Sequence, residues 1–489
     1  MINGYRVRAY GKDEDVIKCR VSKEPFNRVF RGKQRSSDQA EDAYFVNLAY
    51  DKPTVVEIIP DCKEIKSVEI KPKQFGISHT VKDGKIIFSL DRAMNFTVEV
   101  NGIHNMLHFF ATKMKPYEKK ENDIYFGPGV HYAGFINPKS GQNVYIHPKA
   151  YVYGAIFIYK ADNVRVYGGG VIDSSLYARG EAAELTEENG LIAKGILDLG
   201  LSQKVVNYAG NFVAYECKNL TVEDVIFTDS MFWSFITRNH CKNIVIDNVK
   251  LVGQWRYNSD GFDICSSSNV ELKNCFIRSF DDCIVVRGAV LEGETEDSRN
   301  IRIENNVTWC DWGNNLEIWQ GEVPNTIKNI EWKNNYLIKM CMIGISVQTW
   351  YGSNRTRIKN ISYQDIYADN TGETLIPIFQ GEDDEEYSVK GHEDFKPTIL
   401  TINEKMIGKR GKYQKQIDVE DYSDYDLKYS DIEANNVYCD GDALDADIYS
   451  YAKCKTLKVE NVRLKNVKYD KLKINIPVRN LNIEECENE

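Results

Sequence analysis

The chain has 489 residues, 42% hydrophobic and 27% charged, a balance that excludes general disorder and suffices for one large repeat domain plus a smaller one. A formal net charge of −10 and a pI of about 5.5 disfavour a nucleic-acid partner, which requires a basic face, and none is expected. No run of about 18 apolar residues is present, so no membrane-spanning helix and no membrane partner are expected. The opening Met1-Ile2-Asn3-Gly4-Tyr5-Arg6 lacks an apolar core of signal-peptide length. A cytoplasmic address is therefore the expectation, although a secreted chain trimmed of its leader would begin the same way.

Residues 1–115 alternate strand-like runs with turns. Thr54–Ile59, Val68–Ile70, Lys85–Leu90 and Phe96–Val100 carry the strand pattern, and Asp83-Gly84 and Asn101-Gly102 are hairpin signals. A small antiparallel β-sandwich is predicted here. Lys113-Met114-Lys115-Pro116-Tyr117-Glu118-Lys119-Lys120 reads as a linker, and a second domain runs over 121–489.

That second domain carries a degenerate repeat. Asn219-Leu220-Thr221-Val222, Asn243-Ile244-Val245-Ile246 and Asn269-Val270-Glu271-Leu272 are copies of one unit. So are Asn300-Ile301-Arg302-Ile303, Asn329-Ile330-Glu331-Trp332 and Asn360-Ile361-Ser362-Tyr363, and Asn163-Val164-Arg165-Val166 precedes them. From Asn219 to Asn360 the marker asparagines are 24, 26, 31, 29 and 31 residues apart, and a second short apolar run follows several of them, such as Val225-Ile226-Phe227. Several short strands per period read as a solenoid. A leucine grid and long 3.6-residue periodicity are both missing, which leaves a parallel β-helix. In such a helix a recurring asparagine bonds either to its copies above and below or to free turn amides. The 12 cysteines include Cys217, Cys241, Cys275, Cys310 and Cys454 at equivalent repeat points. They are predicted to be small buried hydrophobes, and no cofactor or metal site is expected.

Acidic residues concentrate in 253–288. Asp260 sits within Gly253-Gln254-Trp255-Arg256-Tyr257-Asn258-Ser259-Asp260-Gly261-Phe262-Asp263, and Asp281, followed by Asp282, comes 21 residues later, about one short coil on. Stacking alone would bring Asp260 and Asp281 to about 5 Å, and a bend would widen that towards the roughly 6.5–9.5 Å of inverting glycosidases. In a flat strand the neighbours Asp281 and Asp282 would face opposite ways, so a bend is predicted there. Three clustered carboxylates repel, and at least one pKa should rise, as a general acid at neutral pH requires. Asp263 is assigned instead to a turn cap or a calcium ligand. Trp255, Trp309, Trp312, Trp319 and Trp350 surround the acids, each either a sugar-stacking platform or packing. Arg256 and Arg287 either line the groove or neutralise acids. Further along, 376–425 holds the charge runs Glu382–Glu386 and Lys409–Lys412 and reads as a solvated insertion, with a lid role left open.

Asn258-Ser259-Asp260-Gly261 and Asp281-Asp282 resemble the Asn-Thr-Asp and Asp-Asp motifs of the polygalacturonase-type β-helix glycosidases, glycoside hydrolase family 28. The aromatic-rich Trp255–Gly261 segment, Tyr125-Phe126-Gly127-Pro128-Gly129-Val130-His131, Val152-Tyr153-Gly154-Ala155 and Val166–Asp173 are more similar to family 49, the dextranases and isopullulanases. The likeness covers most of 50–370. It implies a right-handed parallel β-helix behind a β-sandwich and an inverting mechanism, with Asp281 as general acid and Asp260 and Asp282 holding and activating water. Two departures bear on the substrate. The polygalacturonase Gly-His-Gly is replaced by Gly313-Asn314-Asn315-Leu316-Glu317-Ile318. The Arg-Ile-Lys that grips galacturonate aligns with Gly344–Trp350, where Ser346 and Gln348 replace the cations. The literal Arg357-Ile358-Lys359 lies in the next repeat and is read as chance. A neutral oligo- or polysaccharide, with dextran or isomalto-type α-glucan as first guess, is therefore the expected partner. The predicted sugar contacts are Trp255, Tyr257, Asn258, Arg287, Asn314, Glu317, Trp319, Gln348 and Trp350. The alternatives carried forward are a pectin hydrolase of polygalacturonase type, a β-helix lyase or transglycosidase, and a non-catalytic carbohydrate-binding β-helix.

Overall fold

Period-2 alternation in the first 112 residues builds two five-stranded sheets whose apolar faces meet. The computed structural model describes every residue except 1, 25–34, 119, 180–184, 292–293, 295, 321–324, 350–354, 372–396, 405–425, 451–456 and 485–489. In one sheet Thr54–Pro60 is central, between Tyr5–Ala9 and Lys85–Leu90. The other runs Val16–Ser22, Ala40–Ala49, Leu107–Thr112, Met94–Val100, Val68–Lys71. All pairs are antiparallel except Ala40–Ala49 with Leu107–Thr112, which is parallel. Val7, Ile58, Ile86, Phe88, Phe96, Val98 and Phe109 fill the space between, with Phe96 stacked on Phe109 at 4.9 Å. Asp83 and Gly84 both take positive φ (51° and 72°), as a two-residue turn of the favoured twist requires.

From Ile124 to Glu484 parallel strands wind into a β-helix with three faces. The first face stacks Lys218–Glu223, Cys241–Asp247, Ser267–Lys273 and Ser298–Glu304. The second stacks Ile226–Thr228, Lys250–Leu251, Phe276–Ser279 and Val307–Cys310. The third stacks Phe235–Arg238, Phe262–Cys265, Ile284–Arg287, Asn314–Gln320, Ile343–Thr349 and Thr398–Glu404. Inward positions form apolar columns such as Phe262, Ile284, Leu316, Ile345 and Leu400.

The marker asparagines bond to their own copies. Each Nδ2 donates to the Oδ1 one coil below, from Asn219–Asn163 through Asn243, Asn269, Asn300 and Asn329 to Asn360, at 2.9–3.1 Å. All seven sit near φ 56–59°, a left-handed conformation that asparagine tolerates better than most residues. Cys217, Cys241, Cys275 and Cys310 are buried, whereas Cys454 lies outside the described residues. Within the predicted insertion, Thr398–Glu404 is a strand of the third face; the rest of 376–425, except Pro397, falls outside the described residues. The alternating apolar pair Leu400 and Ile402 was hidden in the sequence by the charge runs around it.

Two elements flank the third face. The sheet containing Leu107–Thr112 docks on the outer side of the second face, where Val21, Phe45, Met106 and Phe110 meet Ile226, Phe276, Val307 and Trp309. A helical excursion between Asp173 and Phe212, containing Leu191–Asp198 and Gln203–Asn207, packs Ile192 and Ile196 against Phe157, Val213 and Trp233. The turn from the second face to the third opens between these two flanks.

Candidate active site

That turn carries the acids. Asp260 lies between Lys250–Leu251 and Phe262–Cys265, Asp281 and Asp282 between Phe276–Ser279 and Ile284–Arg287, and Gly313 between Val307–Cys310 and Asn314–Gln320. The predicted bend is present: neither Asp281 nor Asp282 is in a strand. The Ser279 hydroxyl donates to the Asp281 carbonyl at 2.6 Å, and the Gly261 amide donates to the Asp282 carbonyl at 2.8 Å. A Cβ on Gly313 would sit 2.6 Å from Asp282 Oδ1 and 2.7 Å from Asp281 Oδ1, so only glycine lets the next coil approach this closely.

Beyond the turn, alternation sends every second side chain of the third face outwards. One outward column holds Asp263, Val285, Glu317, Ser346 and Thr401, and the next holds Cys265, Arg287, Trp319, Gln348 and Asn403. Arg287 is the hub. Its Nη2 donates to Asp260 Oδ2 at 2.8 Å and lies 3.8 Å from Asp282 Oδ2, and its Nε donates to Asp263 Oδ1. The Arg287 guanidinium carbon lies over the Trp233 ring at 4.3 Å and over the Trp319 ring at 4.5 Å, cation–π contacts that help hold the fork in place. Asp281 is the one of the four aspartates without an ion pair to Arg287. It accepts instead from the Asp282 amide at 3.1 Å and from Asn258 Nδ2 at 3.3 Å. Asn258 is itself held at 3.3 Å by Arg179, which also donates to the Tyr257 carbonyl at 3.1 Å.

The electrostatics follow from this wiring. Enclosure, with the Asp263 and Asp281 charges added, pushes the Asp260 carboxyl well above the usual carboxylate range. Enclosure and the adjacent Asp282 do the same to Asp281. Burial raises Asp263 too, but Arg287 restrains it at about 6. Burial alone would weaken the Arg287 charge, yet Asp263, Asp260 and Asp282 around it hold the guanidinium firmly protonated. Above the hub, Glu317 Oε1 accepts from Asn314 Nδ2 at 3.0 Å, from Ser346 Oγ at 3.4 Å and from Gln348 Nε2. The Asn314 amide returns to Asp282 Oδ1 at 2.7 Å.

Asp260, Asp281, Asp282, Asn258, Arg287, Asn314, Glu317 and Gln348 thus form one connected network. Other predicted contacts take different places. Trp255 is buried at 2% exposure, donates from Nε1 to Asp229 and has Arg20 stacked on its ring, so no face remains for a sugar. Trp319 lends a face to Arg287. Tyr257 is buried, with Trp312 at 6.2 Å and Arg179 over its ring. Trp309 belongs to the packing against the N-terminal sheet, whereas half-buried Trp312 stacks on Phe280 beside Asp281. Arg256 neutralises Asp229 at 2.7 Å. Trp350 lies outside the described residues. The literal Arg357-Ile358-Lys359 opens a first-face strand, with Arg357 paired to Asp426. Three residues of the network were not singled out for it. Asp263 is no turn cap: it sits mid-strand, and its outward parity between Phe262 and Ile264 was the available signal. Trp233 and Arg179 come from other turns and carry no local mark.

Residues 148–386 match the family described as Glycosyl hydrolases family 28, and this stretch contains the whole network. Over this stretch the chain is similar to the polygalacturonase-like β-helix glycosidases. A polygalacturonase of Saccharomyces cerevisiae is 30% identical over 105 residues, 20% of this chain and 27% of its own. The "Probable endopolygalacturonase D" of Neosartorya fischeri is 27% identical over 117 residues, 24% of this chain and 22% of its own. The matched stretch therefore spans about a quarter of the length of these curated relatives. Among solved structures, Dex49A from Penicillium minioluteum superposes with a TM-score of 0.57 at 13% identity, covering 94% of this chain and 87% of that one, which establishes a common fold. The expected β-helix with an N-terminal β-sandwich is the fold observed.

Proposed function

We propose that this protein is an inverting glycoside hydrolase acting on a poly- or oligosaccharide. Asp281 donates its proton to the glycosidic oxygen as the C–O bond breaks. Asp260 and Asp282 hold a water whose oxygen attacks the anomeric carbon from the opposite side and whose proton passes to one of these two carboxylates. The observation that carries this reading is the division of the acids by Arg287. Asp260 Oδ2 and Asp282 Oδ2 lie 2.8 and 3.8 Å from one guanidinium nitrogen, whereas Asp281 makes no ion pair with Arg287 and accepts instead from the Asp282 amide and Asn258 Nδ2.

The neutral-sugar form of this reading is supported by Ser346 and Gln348, which stand in the outward columns and donate to Glu317. The pectin-hydrolase form is favoured by a different observation, the names of the two curated relatives. Reducing-end release from dextran, isomalto-oligosaccharides, pullulan, plant and host glycans and polygalacturonate separates them. One neutral glycan is expected to be cleaved, with kcat lowered about 10²–10⁴-fold in Asp281→Asn. Release from polygalacturonate would select the pectin-hydrolase form. Unchanged activity in Asp281→Asn would remove the proposed mechanism.

A further inference from the structure

Resting on the hydrolase reading of the acid turn, we propose that the saccharide site is closed on its N-terminal side and receives a chain end. The enzyme then cuts from an end of its substrate and not within the chain.

The third face carries opposite surfaces on the two sides of the acids. Below Asp263 its outward column continues as Ile236, Val213 and Phe157, none more than 2% exposed. These three form one buried apolar cluster with Ile192, Ile196 and Val205 of the helical excursion and with Trp233. The neighbouring outward column is sealed as well. Arg238 is fully buried, and its Nε donates to buried Glu294 at 2.8 Å. Glu294 accepts in turn from the Val290 and Leu291 amides at 2.8 and 3.0 Å.

The turn below Asp260 closes too. Arg256 donates to the Ser175 and Tyr177 carbonyls at 2.9 and 2.8 Å, and Arg179 donates back to the Tyr257 carbonyl at 3.1 Å. These reciprocal bonds join the start of the excursion to the loop that precedes Asp260. On the second-face side the N-terminal sheet covers Phe276 and Trp309. From the same domain Arg35 donates to the Trp255 carbonyl, with its guanidinium 4.1 Å over the Phe280 ring. The barrier begins beside the reacting groups: the Trp233 ring centre lies 4.3 Å from the guanidinium carbon of Arg287, which binds Asp260.

The C-terminal side is of the opposite character. Two and three coils above Asp263 and Asp282 the outward residues are Ser346, Gln348, Thr401 and Asn403, all polar and uncharged. Gln348 Oε1, Thr401 Oγ1 and Asn403 Oδ1 are buried atoms without a hydrogen-bond partner among the described residues, as is Asn314 Oδ1 beside Asp282. Sugar hydroxyls supply the partners that such atoms lack. Continuing the chain past Asp260 would instead drive hydroxyls into closed apolar packing that offers them no partner. A saccharide lying across the acids therefore extends over the polar columns only, and its end meets the barrier.

The wild type is incubated with dextran, pullulan, polygalacturonate and the remaining glycans of the panel above, and the products are sized over time. Each cleaved polymer is expected to keep its high-mass peak while a single small product grows from the first time point. A ladder of intermediate sizes with early loss of that peak would overturn the end-cutting inference and leave the hydrolase reading standing. No cleavage of any glycan would remove the hydrolase reading and the inference with it. The barrier itself is read from a crystal structure of Asp281→Asn with an oligosaccharide of the cleaved glycan. The terminal unit is expected beside Trp233, and a chain continuing past it towards Ile236 would overturn the inference.

Discussion

Two polar turns of the β-helix solve the same problem in opposite ways. The asparagine turn at the entry to the first face is exposed, uncharged and periodic, and each residue is satisfied by its own copy one coil away. The acid turn between the second and third faces is charged and aperiodic, with Asp260 buried and Asp281 and Asp282 half-buried. Asp260, Asp281 and Asp282 have no stacked copies, and their partners are Arg287, Asn258 and Asn314 from neighbouring strands and turns. A repeat can satisfy polar groups by translation alone, whereas a reactive site needs unlike groups brought together. Loss of periodicity therefore marks the place where the solenoid has been given over to chemistry.

The contrast predicts unequal sensitivity. Arg287→Met should be the most damaging change, because it leaves Asp260 and Asp263 buried without their cation. A loss of about 3–5 kcal/mol in unfolding free energy, read by denaturant titration, is expected. Stability near that of the wild type would mean that the hub is not what holds the acids.

The pH dependence comes next. Asp263 ionises at about 6 in the folded protein against an ordinary value of 3.8, so the folded state holds this proton more tightly than the unfolded chain. Its favourable contribution is full below about 3.8 and is lost as pH rises through about 6. The raised Asp260 and Asp281 act with the same sign. Melting temperatures measured from pH 4 to 7 should fall less with rising pH in Asp263→Asn than in the wild type; parallel curves would contradict the assignment.

At the other turn, Asn269→Ala removes one rung and places alanine at φ 56°. A cost of about 1–2 kcal/mol is expected, with kcat unchanged on whichever glycan is cleaved. A large fall in kcat would erase the distinction between the two turns.

The same contrast explains what was legible in the chain. Asn219 to Asn360 could be read because a ladder writes itself repeatedly, and Asp83-Gly84 because a tight turn needs particular residues locally. The acid triplet was visible as a density of carboxylates. Its organisation was not: Arg179 reaches Asn258 across 79 residues, and Trp233 stacks on an arginine from another coil. Trp255 misled because an indole near acids in sequence suits a sugar platform and a buried packing position equally well. Only the docked N-terminal domain, through Arg20, decides for packing.

The central claim is that Asp281 protonates the leaving group while Asp260 and Asp282 direct water to the far side of the sugar. Proton NMR of the first product formed, recorded before mutarotation on wild type and Asp281→Asn, tests it most directly. The account predicts a product of inverted anomeric configuration from the wild type and almost none from the variant. A retained configuration, or an undiminished rate in Asp281→Asn, would contradict it.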